Sequence, residues 1–496
     1  MKAIFRGLSV SMFALAAAGC TTPNPTPLDR PGDVPQAFTA PLADKQVPIW
    51  PEANWWVNFK ADELPDLIGT AQKENLDLAA AAARVLEAEA QDGVAFSNLL
   101  PTANLQGGAT RTGSHRSSST FTAGPGGTLI PSSGPSVPVT SNSFTAGLAA
   151  SYQADFWGLY RDRLYQAREN LRAARYAETV VGLTAETSVA QQYFTVLATR
   201  ERIVIARQNI DAAKRILTVV QAKVTNGVSS NLDLAQEQAV VATQEARLPS
   251  LIEQEREARY ALAILLGKAP EGFDVKGQNL DGIVSPAVQP GLPSEVLLRR
   301  PDVAQAEANL YAAHANVDAA RAAFFPQIGL TGSGSYGAAA VGNLFNPSSF
   351  AWSVGVSLLQ SIFDGGRLKA QDDLALAQQQ EQIADYRKTV FTAFSNVETA
   401  LGSVNADNEQ LVSLTEEVRA STEAFRISEL QYREGTIDIL SLLTAQQQLF
   451  TAEDTLVQTK LGRLEANVSL YVALGGGWTQ AQSDKDYKYK LDWWPL

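Results

Sequence analysis

Few residues in this 496-residue chain are of the types that do chemistry. There is one cysteine, Cys20, and there are two histidines, His115 and His314. That leaves no material for a disulfide framework or a histidine-rich metal site. Gly332-Ser333-Gly334-Ser335-Tyr336-Gly337 fits a dinucleotide fingerprint on paper, but no helix pattern follows it and the next acidic residue, Asp364, lies too far on. Gly124 to Gly127 lacks the Lys-Ser/Thr of a phosphate loop. Acidic pairs such as Asp372-Asp373 and Glu416-Glu417 read as solvated helix faces, and nothing opposes two carboxylates across a cleft. We expect no enzyme, no metal site and no cofactor. The charge sum, 40 Lys+Arg against 52 Asp+Glu for a net −12, argues against nucleic acid, which needs a basic surface.

Cys20 is the exception. Lys2 and Arg6 precede a short apolar run, Leu8 to Ala18, that is too brief to span a bilayer as a helix. The run ends Ala16-Ala17-Ala18-Gly19-Cys20, which resembles a bacterial lipobox in which Cys20 is acylated and becomes the first mature residue. An ordinary signal peptide with an incidental cysteine is the other reading. Acyl chains would fix the chain to a membrane. Thr21 after the cysteine resembles lipoproteins sent to the outer membrane. Residues 1–19 are then the signal and 20–54 a proline-rich extended tether. No later segment is apolar enough for a membrane helix, so any crossing must be made by strands.

The elements that follow come in two copies. Asn75-Leu76-Asp77-Leu78 to Pro101 matches Arg300-Pro301-Asp302-Val303 to Pro326 at an offset of 225. Phe156-Trp157-Gly158 then matches Phe363-Asp364-Gly365 at 207, and Asn226-Gly227 matches Glu434-Gly435 at 208. The first copy therefore holds an insertion of 18 residues, which composition places in a Ser/Pro/Gly-rich external loop over 114–143. Each copy carries a long heptad run: Val189, Val196, Ile203, Ile210, Leu217, Val224 in the first, and Ile383 through Val390, Val397, Val404, Leu411, Val418 and Phe425 to Tyr432 in the second. The spacing predicts proline-free helices about 100 Å long, with coiled-coil packing. Return helices follow the glycine turns. The expected segments are helices over 55–100, a β-hairpin over 101–156, a helical hairpin over 157–270, a linker over 271–298, a helix over 299–323, a second β-hairpin over 324–363, a second helical hairpin over 364–475 and a tail over 476–496.

Both β-hairpins alternate apolar with small polar residues: Phe144, Ala146, Leu148, Ala150, Tyr152 against Thr145, Gly147, Ser151, Gln153, and Phe350, Trp352, Val354, Val356, Leu358 against Ser353, Ser357. That pattern is either a half-buried soluble hairpin or a membrane strand pair with a water-filled inside. Four membrane strands cannot close alone, because an open edge in hydrocarbon leaves backbone groups unpaired. Two copies would give eight strands and three would give twelve.

Several segments resemble one family: Trp55-Trp56 with Phe59, Asn75-Leu76-Asp77-Leu78, Arg84-Val85, Leu297-Leu298-Arg299-Arg300-Pro301-Asp302-Val303, Ala322-Ala323-Phe324-Phe325-Pro326 and Ile362-Phe363-Asp364-Gly365-Gly366-Arg367. They resemble the outer-membrane factor lipoproteins of tripartite RND-type efflux pumps, the TolC-like group with its OprM and NodT branches. The resemblance implies an α+β fold, with a shared transmembrane β-barrel of four strands per chain continued by a long periplasmic α-helical barrel. It implies a homotrimer in the outer membrane of a Gram-negative bacterium, a periplasmic adaptor and an inner-membrane transporter as partners, and passive export of drugs and other toxic small molecules. It also implies a periplasmic gate. The leucine constriction falls on Leu440 with Leu232 its counterpart, and Thr444 stands where OprM-like members carry an acidic ring. Asp233, Asp438, Tyr432 and Arg433 lie beside them. Gly227-Val228 and Gly435-Thr436 are the expected adaptor contacts. Type I protein secretion shares this fold, and a non-conducting envelope tether would also explain the heptads and Cys20.

Overall fold

The computed structural model describes residues 38, 50–123, 129–286 and 293–478, with side chains described outside 116–137 and 294. The signal segment, Cys20, most of the tether and residues 479–496 lie outside the described residues.

Two element sets follow one another in the same order, with nearly equal lengths in the helices that flank the strands and longer strands in the first. In the first, α1 (Leu64–Glu74) leads into α2 (Leu76–Ser97, 22 residues), strands β1 (Thr102–Ala123) and β2 (Leu129–Ala154), α3 (Leu159–Thr225, 67 residues) and α4 (Asn231–Leu265, 35 residues). In the second, α5 (Pro293–Leu297) precedes α6 (Pro301–Ala322, 22 residues), β3 (Gln327–Ala338), β4 (Phe350–Leu359), α7 (Arg367–Glu434, 68 residues) and α8 (Ile439–Ala473, 35 residues). The correspondence extends to single atoms. Asn75 Nδ2 donates to the carbonyl of Leu265 at 2.8 Å, and Arg300, its counterpart, donates to that of Ala473 at 2.9 Å. Gly267 and Gly475 end α4 and α8 at φ +65° and +95°, each so close to a backbone carbonyl (Glu74 and Arg299) that a β-carbon would sit 2.2 and 1.9 Å from it. Only glycine fits there, for conformation and for space.

The chain packs as two compact units. Of the described residues, one unit holds those of 89–169 and 311–380, with the strands; the other holds those of 38–88, 170–310 and 381–478. In the helical unit the heptad positions form the seams: Val189, Val196, Ile203, Ile210, Val390, Val397, Phe425 and Tyr432 are buried and the rest of the two runs are half-buried. A short 3-10 helix, Trp55–Phe59, drives Trp55 and Phe59 into this core, where Trp55 stacks on Tyr471 at 5.4 Å and Phe59 meets Phe194 at 5.5 Å. Each such ring removes apolar area worth about 2–3 kcal/mol from water.

In the strand unit the order is β1-β2-β3-β4, all antiparallel, with β1 and β4 at the edges. Here the structure departs from the sequence expectation of a loop over 114–143. β1 and β2 stay paired out to Ala123 opposite Leu129, with one irregularity between Ser117 and Ser119. The ribbon is tolerant because ladder bonds use backbone groups, and Pro131 and Pro138 take paired positions on β2 against Phe121 and His115 with a single neighbour strand at that level.

Candidate functional site: the sheet faces and the helical tips

Directly paired residues of antiparallel strands share a face, so the register sorts every side chain. One face collects Leu105, Leu148, Tyr152, Leu330, Val354, Val356 and Leu358. The other collects Thr102, Asn104, Gln106, Ser151, Gln153, Thr331, Ser333, Ser353 and Ser357, with glycines and alanines between, Leu359 at one end and no charged group over the four-stranded region. Hydroxyls join across it: Thr102 meets Ser151 at 2.8 Å and Ser333 meets Ser353 at 2.9 Å. Gly332 to Gly337, the paper nucleotide motif, is simply part of β3. Aromatic rings mark both ends of the apolar face. Trp157 stacks on Phe325 at 4.9 Å and donates to the Pro326 carbonyl, while Tyr336 packs against Phe345 and Phe350 at 5.6 and 5.1 Å. The eleven residues from Pro326 to Tyr336, tilted as barrel strands are, span about 25 Å, the height of a bilayer-facing band.

At the far end of the long helices the two tips are built alike. Gly227 (φ +71°) and Gly435 (φ +81°) take the left-handed position that ends each helix. Val228 N–H then returns to the Lys223 carbonyl at 2.8 Å and Thr436 N–H to the Gln431 carbonyl at 2.9 Å, closing the last turn. Ser230 and Asp438 cap the return helices: Ser230 accepts from Asp233 N–H and Asp438 from Ser441 N–H. Two residues beyond each cap stand Leu232 and Leu440, 66% and 61% exposed.

The other predicted tip residues divide. The Asp233 carboxylate is held below its ordinary range by the Ser229 hydroxyl (2.5 Å) and the Ser230 N–H, and Asp438 by the Ser441 hydroxyl and N–H, so both stay ionised. Thr444 is uncharged and exposed, its hydroxyl donating to the Leu440 carbonyl at 2.8 Å. Arg433 pairs with Glu429 at 2.5 Å on its own helix. Tyr432 is buried: the Lys223 ammonium lies over its ring at 4.4 Å and donates to its carbonyl, tying α3 to α7. Nothing here assembles a nucleophile, base and oxyanion site.

Sequence reasoning missed a polar seam between the two helical hairpins. Along α8, Gln446, Glu453, Lys460 and Asn467 are seven apart. Lys460 pairs with Glu201 at 3.1 Å, and Asp454 with Arg202 at 2.7 Å; burial raises the Glu453 carboxyl, with Asn209 opposing. The heptad spacing of polar residues on a buried face was the available signal.

The model for outer membrane efflux proteins matches twice, over residues 67–268 and 292–476. The chain belongs to the outer membrane efflux protein family. It is 40% identical over 472 residues to the pyoverdine export outer membrane protein OpmQ of Pseudomonas aeruginosa, covering 95% of this chain and 96% of that one. It is 30% identical to the cation efflux system protein CusC of Escherichia coli K12 over 94% of this chain and 98% of that one. Among solved structures, the outer-membrane channel OprN superposes with a TM-score of 0.79 at 27% identity, over 90% of this chain and 99% of that one. The open state of the Neisseria gonorrhoeae MtrE channel gives 0.76 at 30%, over 90% and 96%. The fold is therefore TolC-like, and the protein is an outer-membrane efflux channel of a tripartite system.

Proposed function

We propose that three copies of the chain close one twelve-stranded barrel and act as a passive, non-enzymatic conduit. The observation that carries this is a sheet that, over the region where its four strands run side by side, has one apolar face, one uncharged polar face and two open edges. Joining β4 of one copy to β1 of the next satisfies the edges, puts the apolar face toward lipid and leaves a hydroxyl-lined lumen. A periplasmic adaptor bound at Gly227-Val228 and Gly435-Thr436, and an RND-type transporter beneath it, would supply the energy and choose the cargo. Leu232 and Leu440 of the three copies would meet as the closed gate, and acyl groups on Cys20 would anchor the tether. OpmQ is named for pyoverdine and CusC for cations. The uncharged lumen supports a carrier of small molecules that sorts none of them by charge within the barrel.

The test is the native mass in mild detergent together with conductance in planar bilayers. Three protomers and a conducting pore are expected; a monomer, or a trimer that passes no ions after the tips are removed, would refute the conduit.

A further inference from the structure

Glu237, on α4 one turn beyond the Ser230–Asp233 cap, is fully buried, and neither oxygen of its carboxyl has a hydrogen-bond partner meeting normal geometry. It faces Gln446 of α8, also fully buried, whose carboxamide oxygen and nitrogen are equally short of well-formed bonds. The neighbours supply no counter-charge. From α4 itself comes Asp233, an anion; from α7 comes the Tyr432 hydroxyl, which senses both Asp233 and Glu237. From α3 comes Lys223, already committed to the ring and carbonyl of Tyr432. From α8, besides Gln446, comes Glu453 two turns on, held to Asn209. No described cation pairs with Glu237.

An ionised carboxylate in that setting is two acceptors with no cation, set against an amide with one acceptor and one donor group. A protonated carboxyl is different: its O–H can donate to the Gln446 oxygen while the Gln446 N–H donates back to its carbonyl. One proton therefore satisfies the whole pair. The pair also joins the first helical hairpin to the second, five and six residues beyond Leu232 and Leu440, or about 8–9 Å along each helix.

We propose that Glu237 and Gln446 form a proton-operated latch that holds the two hairpins together behind the tip, with loss of the proton loosening the leucines toward the open state. The inference rests on the conduit reading above. Burial pushes the Glu237 carboxyl from its ordinary 4.5 up to about 7, with Gln446 opposing. A latched state that holds the proton more tightly is favoured at low pH, and the advantage fades as pH rises from the ordinary carboxyl range through 7. If the loosened state hydrates Glu237 fully, its weight relative to the latched state grows by about two orders of magnitude between pH 5 and pH 8.

The experiment measures open probability of the full-length protein in planar bilayers from pH 5 to pH 8, for wild type, Glu237→Gln and Leu440→Ser. Wild type should open with rising pH. E237Q keeps a reciprocal amide pair without a proton to lose, and should stay closed with a flat profile. An unchanged wild-type slope in E237Q, or a flat wild type, overturns the latch while leaving the conduit standing. Absence of current from all three, Leu440→Ser included, refutes the conduit itself.

Discussion

Val354 and Ser353 are neighbours on β4 with opposite surroundings, and an arginine at each separates lipid from lumen. Val354 pairs with Gly332 and shares its face with Trp352 and Val356; Ser353 pairs with Ser333 and points the other way. Midway between the aromatic ends of the sheet, Val354 lies near the middle of the apolar band. An arginine facing lipid at that depth costs about 2–4 kcal/mol, and three copies in one barrel make about 6–12 kcal/mol per trimer. At Ser353 the guanidinium enters water, and the loss is the Ser333–Ser353 hydrogen bond, about 1 kcal/mol per chain. We therefore expect Val354→Arg to abolish or severely deplete folded trimer in lipid vesicles, read as the fraction resisting urea, and Ser353→Arg to leave it near wild type. Equal damage from the two, or greater damage from Ser353→Arg, would mean that the faces are misassigned and the barrel argument fails.

Leu440→Ser should raise basal conductance and antibiotic entry without the adaptor; unchanged values would remove Leu440 from the gate. Gly475→Ala should cost several kcal/mol, more than a typical surface change of under about 0.5 kcal/mol, because a β-carbon there meets the Arg299 carbonyl; Gly267→Ala should behave alike, and thermal unfolding checks both. Burial, with Asp318 and Asp155 nearby, pushes Asp162 up to about 6, so folding loses stability as pH climbs from the ordinary 3.8 to 6; Asp162→Asn should raise the melting midpoint at pH 8 and leave it unchanged near pH 3.5, and equal shifts at both would exclude ionisation as the cause.

The long helices were legible because their heptads are local: Val189 to Val224 and Ile383 to Tyr432 declare a buried stripe without any knowledge of what covers it. The tips were legible from Gly227 and Gly435, and the membrane faces from strict alternation. The β1–β2 ribbon was not, since Ser, Pro and Gly carry the signal of a loop, whereas pairing of 115–123 with 129–138 is decided by backbone bonds that composition does not encode. Nor was the setting of Glu237, since nothing local marks it as buried and its partner Gln446 is more than 200 positions away in the chain; for Tyr432 the heptad announced the burial but not the Lys223 ammonium over its ring.

The equality of the helix lengths bears on how such a molecule can evolve. The two halves have drifted far apart in residue identity, with Arg300 at the position equivalent to Asn75 and Val457 at that of Pro249, yet the long helices differ by one residue and the return helices by none. Deleting one residue from one helix would swing everything beyond it by about 100° and withdraw that tip by about 1.5 Å, misaiming its leucine. A tolerated change of length must come in sevens and in both halves together, a coincidence of two rare events. Hairpin length is thus an inherited gauge, nearly frozen once the gene had doubled, while the outer ribbon, already 18 residues longer in one half than in the other, is where descendants are free to diverge.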